Sequence, residues 1–189
     1  MKKSIIAAGF ALTALLFAGP AWATRDSGLG LYMGGSRTTM TPSDSPQFDS
    51  SGPGLGIDFQ FPVGDSFSVN PFFLSFKEDG DAPITDGMGN IIGSTLAKLD
   101  NKIAGLQLRY WLDGVFLGAH AGRYSTTISF PDFAGLRQKL SDTGFGAVIG
   151  WEGESGFTLV LQYDTVTYDS GGGAEVEFKS LRGLFGYRF

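Results

Sequence analysis

The stretch Phe178-Lys179-Ser180-Leu181-Arg182-Gly183-Leu184-Phe185-Gly186-Tyr187-Arg188-Phe189 closes the chain. Counting back in steps of two from Phe189 gives Tyr187, Phe185, Gly183 and Leu181, while the other parity gives Arg188, Gly186, Leu184, Arg182 and Ser180. In a strand these two sets face opposite ways. One face is aromatic and aliphatic and the other small or charged, so the apolar face needs an apolar cover. A bilayer supplies one, as does the second sheet of a soluble sandwich.

The remaining chain repeats the pattern. Seven further segments alternate in hydrophobicity, each bounded by turn residues, as expected of a membrane barrel rather than of amphipathic helices. The first sets Leu29, Leu31 and Met33 against Gly28, Gly30, Tyr32 and Gly34; the second sets Leu55, Ile57, Phe59 and Phe61 against Gly54, Gly56, Asp58 and Gln60. The third opens with Phe67 and Val69 against Ser68 and Asn70, then loses parity at Pro71-Phe72-Phe73-Leu74, which predicts a bulge at Pro71. The fourth to seventh begin at Ala104, Val115, Gly144 and Phe157, and place Arg109, His120, Gln162 and Asp164 on their polar parity. Glycine dominates that second face, which suits a crowded lumen.

Connector lengths alternate as well. Strands two to three, four to five and six to seven join through Pro62-Val63-Gly64-Asp65, Asp113-Gly114 and Glu154-Ser155-Gly156. Long polar stretches around 42–51, 78–101 and 131–142 join the others, with 169–174 before the last strand. Short turns on one side and long loops on the other are how outer-membrane barrels are built, the short ones periplasmic. Both termini then lie on the periplasmic side.

The N-terminus reads as an export signal. Met1-Lys2-Lys3 is a basic n-region, Ile5 to Phe17 an apolar run, and Ala21-Trp22-Ala23 a small-x-small cleavage site, so a cleaved leader is expected over 1–23 and the barrel over 24–189. No stretch after Ala23 reaches the ~18 apolar residues of a spanning helix. The chain has no cysteine, which excludes disulfides and an acylated cysteine anchor. Without the two leader lysines, 12 basic residues face 19 acidic ones, a formal charge of −7 that argues against a nucleic-acid partner.

This arrangement resembles the small eight-stranded outer-membrane proteins of the OmpA-barrel and OmpX type. The terminal Phe185, Tyr187 and Phe189 resemble the C-terminal signal read by the barrel-assembly machinery. The resemblance implies an all-β, eight-stranded antiparallel up-and-down transmembrane β-barrel in the bacterial outer membrane. Implied partners are periplasmic chaperones, the assembly machinery, and outer-membrane lipids including lipopolysaccharide, and the barrel is expected to be a monomer.

Function is read from the lumen and the loops. Asp58 and Arg109 each lie three residues from the periplasmic ends of their strands, and Asp164 and Arg182 each lie seven from theirs, so both pairs can meet inside. Asp164 and Arg182 are expected as cross-strand neighbours through a hairpin at Gly171-Gly172-Gly173. Gln162 and His120 complete the expected polar network. His120 is the only histidine; the lipid A deacylases of the PagL type carry a serine two residues from theirs, where this chain has Gly122. Gly28-Leu29-Gly30 with Gly34 lacks a dinucleotide site's spacing, and Asp79 to Asp86 lacks the ligand order of a calcium loop, so no cofactor or metal is expected. Three functions remain: a non-enzymatic envelope or surface-interaction role, a narrow solute channel gated by lumen charges, and lipid A modification.

Overall fold

The computed structural model describes residues 27–43, 45–86, 88, 90–133, 136–169 and 174–189. The expected leader and the Gly171-Gly172-Gly173 turn lie outside them. Eight strands run in chain order, β1 Gly28–Pro42, β2 Phe48–Val63, β3 Phe67–Thr85, β4 Ile91–Leu112, β5 Val115–Ser129, β6 Arg137–Glu152, β7 Phe157–Asp169 and β8 Glu175–Arg188. Each pairs antiparallel with its successor, and β8 closes on β1 from Gly30↔Arg188 to Pro42↔Val176. The fold is therefore an eight-stranded up-and-down barrel.

The parity read from the sequence sets the faces. Leu31, Ile57, Leu106, Leu117, Ile149, Leu161 and Leu181 face outward and are exposed, while Tyr32, Trp111, Phe116, Val160 and Leu184 are buried inside. On β8 the apolar outward file runs from Leu181 to Phe189, nine residues, and gives way to Lys179. Roughly 9–11 residues is what a strand tilted about 45° needs to cross a bilayer. Aromatic pairs ring the short-turn end: Phe59 with Phe61 at 4.7 Å between ring centroids, Phe67 with Tyr110 at 5.0 Å, and Tyr187 with Phe189 at 4.9 Å. Such girdles sit at the headgroup level, where an apolar ring body meets water.

All three short turns contain a positive-φ residue, Gly156 at φ 89° being the one between β6 and β7. Asp113 has φ 56° in the two-residue turn between β4 and β5, and Gly64 has φ 66° between β2 and β3. Aspartate and glycine are among the residues that adopt this region at least cost.

Pro71 does not form a bulge. The β2–β3 register is the same on both sides of it, Asp58↔Phe72 and Phe61↔Val69, and β4 pairs through it without a shift. The proline only interrupts the ladder, as Pro53 does, because it has no N–H to give. Parity is unbroken too: Phe72, Leu74 and Phe76 point inward, and their apolar character had masked this.

The lumen is thus filled by large rings that the glycines admit, not lined mainly by glycine. A Cβ at Gly54 would collide with the Phe76 ring, and one at Gly150 with Phe116. Most of the expected long loops are also strand. Residues 78–85 and 91–101 pair as one hairpin, with Glu78↔Leu99 and Ala82↔Thr95, which keeps Ala82, Ala97 and Leu99 buried inside. Pairing continues past the membrane because the polar residues there still alternate.

Candidate functional site

Inside the barrel, polar groups stack in three tiers. At the short-turn end, β2 supplies Asp58, β4 supplies Arg109 and β8 supplies Arg188. Arg109 donates from Nη2 to Asp58 at 2.5 Å and from Nε to Gln107 at 2.7 Å, and its guanidinium lies 4.4 Å from the Phe116 ring centroid. Arg188 donates to Asp58 Oδ1 at 3.0 Å, to Glu152 at 2.9 Å and to the Tyr32 hydroxyl at 2.8 Å. Tyr32 in turn donates to Asp58 at 3.1 Å. Two carboxylates meet two guanidiniums, so charge balances.

The middle tier is centred on Asp164. It forms an ion pair with Arg182 and a short contact with His120 Nε2, and accepts from the Tyr124 hydroxyl at 2.6 Å and from Gln162 at 3.0 Å. Directly across from Arg182 is Gln162, and across from Asp164 is Ser180, so the ion pair runs along the diagonal of the β7–β8 ladder. The sequence placed the two charges at one height on adjacent strands; the offset of two residues comes from the hairpin register. His120 packs edge-on against Phe72 at 5.4 Å. Among the described residues no serine or threonine hydroxyl bonds to its ring.

The third tier was not anticipated. Glu78, only 1% exposed, accepts at Oε1 from Ser36 at 2.6 Å, Thr38 at 3.0 Å and Asn101 at 3.0 Å, and at Oε2 from Ser50 at 2.7 Å. Among the described residues no lysine or arginine forms an ion pair with it; hydroxyl and amide donors from β1, β2 and β4 hold it instead. Thr126 extends the tier, donating to Asn101 at 2.7 Å and bonding to Tyr168 at 2.9 Å. The signal for Glu78 was the inward parity of Phe72, Leu74 and Phe76 carried one step further. For Arg188 it was the polar parity of β8 itself.

The tiers leave little room. Asp58, Arg109, His120, Gln162, Asp164 and Arg182 are each 5% exposed or less. Between the lower two tiers lies a cavity of about 20 Å³ lined by Tyr32, Asp58, Phe72, Gln107, Arg109 and Gln162, space for roughly one water molecule. Outside the membrane band the charges are surface pairs. Arg37 Nη2 donates to Asp49 at 2.7 Å, and with the Thr39 hydroxyl it holds that carboxyl below the usual carboxylate range. Phe185, Tyr187 and Phe189 face outward at the short-turn end, 48%, 45% and 71% exposed.

The model of the outer membrane protein beta-barrel domain matches residues 8–189. The chain belongs to this family. Its barrel accordingly resides in the bacterial outer membrane. Among solved structures it resembles Ail, the attachment invasion locus protein of Yersinia pestis, in complex with the heparin analogue sucrose octasulfate, with 12% identity and a TM-score of 0.61 over 87% of this chain and 100% of that one. It also resembles the Neisserial surface protein A, with 11% identity and a TM-score of 0.60 over 87% and 100%. At these identities the likeness is one of fold. Comparison with curated proteins finds no match.

Proposed function

We propose that the barrel is a closed, non-enzymatic wall element that acts through what it presents outside the cell. The observation that carries this is the β3–β4 hairpin. The outward apolar file ends at Phe73 on β3 and Ala104 on β4, yet the strands continue to Thr85 and back from Ile91. Twelve residues at ~3.3 Å each is a projection of about 40 Å along the strand. At its far end Met88, Ile91 and Ile92 are 86%, 62% and 67% exposed. Thr95 donates to Asp132 at 2.9 Å, tying this hairpin to the β5–β6 connector, where Phe133 and Leu136 are also exposed. Exposed apolar side chains clustered above a polar wall suit contact with other surfaces.

The lumen residues act structurally on this reading. Each lumen carboxylate is already met by several donors, and the one hydroxyl beside His120, that of Tyr124 at 3.1 Å, already donates to Asp164, so their work is to close the interior. Residues 1–23 serve as a cleaved leader, and Phe185, Tyr187 and Phe189 serve as the signal for the assembly machinery after periplasmic chaperones deliver the chain. Lipopolysaccharide surrounds the monomer. The test is adherence of cells expressing the wild type or a variant in which 81–97 is replaced by a two-residue turn, on immobilised serum and matrix proteins. Adherence should fall in the shortened variant while the barrel still folds; equal adherence contradicts the reading.

A further inference from the structure

Two turns crown the long-connector end of the barrel, and both present apolar side chains. Met88, Ile91 and Ile92 lie exposed at the β3–β4 tip, and Phe133 and Leu136 at the β5–β6 turn. The Thr95 hydroxyl, bonded to Asp132 at 2.9 Å, ties the two together. Side chains that project this far from convex turns need a cover that closes around them. A fluid acyl layer does so without a preformed pocket for each one, and burying apolar surface in it is favourable.

What such a crest costs on entering lipid is set by its polar groups. Here many of them are bonded within the turns. Asp86, the only charged residue in 82–97, accepts from the Met88 and Asn90 N–H groups at 2.9 Å each and from Asn90 Nδ2 at 3.0 Å. Its own N–H donates to the Asn90 carbonyl at 2.9 Å. Asp132, the only charged residue in 130–136, accepts from Thr95. The N–H groups of Phe130, Phe133 and Leu136 donate to the carbonyls of Leu136, Phe130 and Phe133 at 3.2, 3.0 and 3.0 Å. Carboxylates held in this way rest at headgroup level while the apolar tips pass beyond them.

Charge supplies a second observation. The chain is acidic, −5 overall, yet the wall below the second turn is basic. Arg137 and Lys139 follow Leu136 on the outward side of β6, and Lys98 stands on β4; all three are exposed. Ser129 pairs with Lys98 on one side and with Arg137 on the other, which sets these two cations about 10 Å apart, and Thr127 pairs with Lys139. Asp79, across from Lys98, and Asp100, 3.7 Å from Lys102, are the nearby carboxylates. An apolar crest above a cationic belt matches an anionic bilayer met from outside, where tails take the crest and headgroups the belt. A second copy meeting this one crest to crest would set belt against belt. The protein's own membrane is out of reach: Arg137 lies eight residues, roughly 26 Å of strand, beyond Phe145, the last outward apolar residue of β6.

We propose that the two turns insert their apolar side chains into the anionic phospholipid bilayer of a second cell. The proposal rests on the reading that the barrel works through contacts outside the cell, and names the surface it meets as lipid. Met88, Ile91, Ile92, Phe133 and Leu136 enter the acyl layer, and Lys98, Arg137 and Lys139 meet lipid phosphates. Apolar burial gives the grip, and the cations select for anionic lipid.

The chain has no cysteine, so Met88→Cys gives a single position for an environment-sensitive fluorophore. The full refolded protein, in nanodiscs of phosphatidylcholine, is mixed with vesicles of phosphatidylcholine and phosphatidylserine whose acyl chains carry nitroxide. The label should shift to the blue and be quenched, and vesicles without phosphatidylserine should bind more weakly. In cosedimentation with the anionic vesicles, Ile91→Ser with Ile92→Ser should reduce binding by roughly tenfold or more, as should Arg137→Glu with Lys139→Glu. Binding without quenching of the label, or binding lost on charge reversal but not in the serine variant, overturns insertion in favour of a simple polyanion patch. No vesicle binding, alongside hairpin-dependent adherence to proteins, overturns the lipid partner alone; absence of both overturns the outward-contact reading as well.

Discussion

Asp164 and Arg182 carry opposite charges at 1% and 2% exposure, and each is expensive to leave alone. Asp164→Asn or Arg182→Gln should each destabilise the folded barrel by roughly 3–5 kcal/mol in urea unfolding from detergent, and the double mutant should lose clearly less than the sum. A coupling near zero means that water already screens the pair. These two residues were legible because strand parity and depth are counted directly from the turns. Arg188 was not singled out, although it lies on the same parity, because closeness to Asp58 follows from β8 closing on β1 and from barrel shear, not from chain order. Glu78 falls at the start of the polar stretch 78–101 that the sequence reads as a connector, whereas β3 continues to Thr85.

Along a single strand, what faces lipid and what faces the lumen differ by one residue. Leu159 is 46% exposed on the outer wall near the Trp151 and Phe157 aromatics, while Gln162 is 3% exposed and lies opposite Arg182. Leu159→Arg should cost on the order of 1–4 kcal/mol depending on depth, measured by folding into lipid vesicles. Gln162→Arg should be comparably harmful, because a second guanidinium would be forced against Arg182 in a filled interior. A neutral Leu159→Arg result would contradict the lipid-facing assignment. On β3 the sequence misled for a physical reason: hydropathy separates lipid from water, but an apolar residue such as Phe76 serves equally in a dry lumen. Inward and outward apolar files then merge, and parity is lost to the eye.

At the scale of the whole barrel, strand count, order and the side bearing the short turns were all readable, because turn residues and period-2 alternation survive in any membrane barrel. The height of the wall was not. Hydropathy marks where lipid stops, whereas hydrogen-bond pairing decides where strands stop, and in β3 and β4 these differ by about a dozen residues. If the long hairpins are extracellular, an epitope inserted at Met88 should be labelled on intact cells and one at Gly114 only after permeabilisation; the reverse pattern would invert the topology.

The claim that joins these scales is that stacked, hydrogen-bonded tiers close the lumen, so that the barrel's work is done on its outer surface. Single-channel recording of the refolded wild type in planar bilayers tests it directly. The account predicts a silent membrane at protein levels where a porin control conducts, and steady ohmic conductance that disappears with protein omission would contradict it.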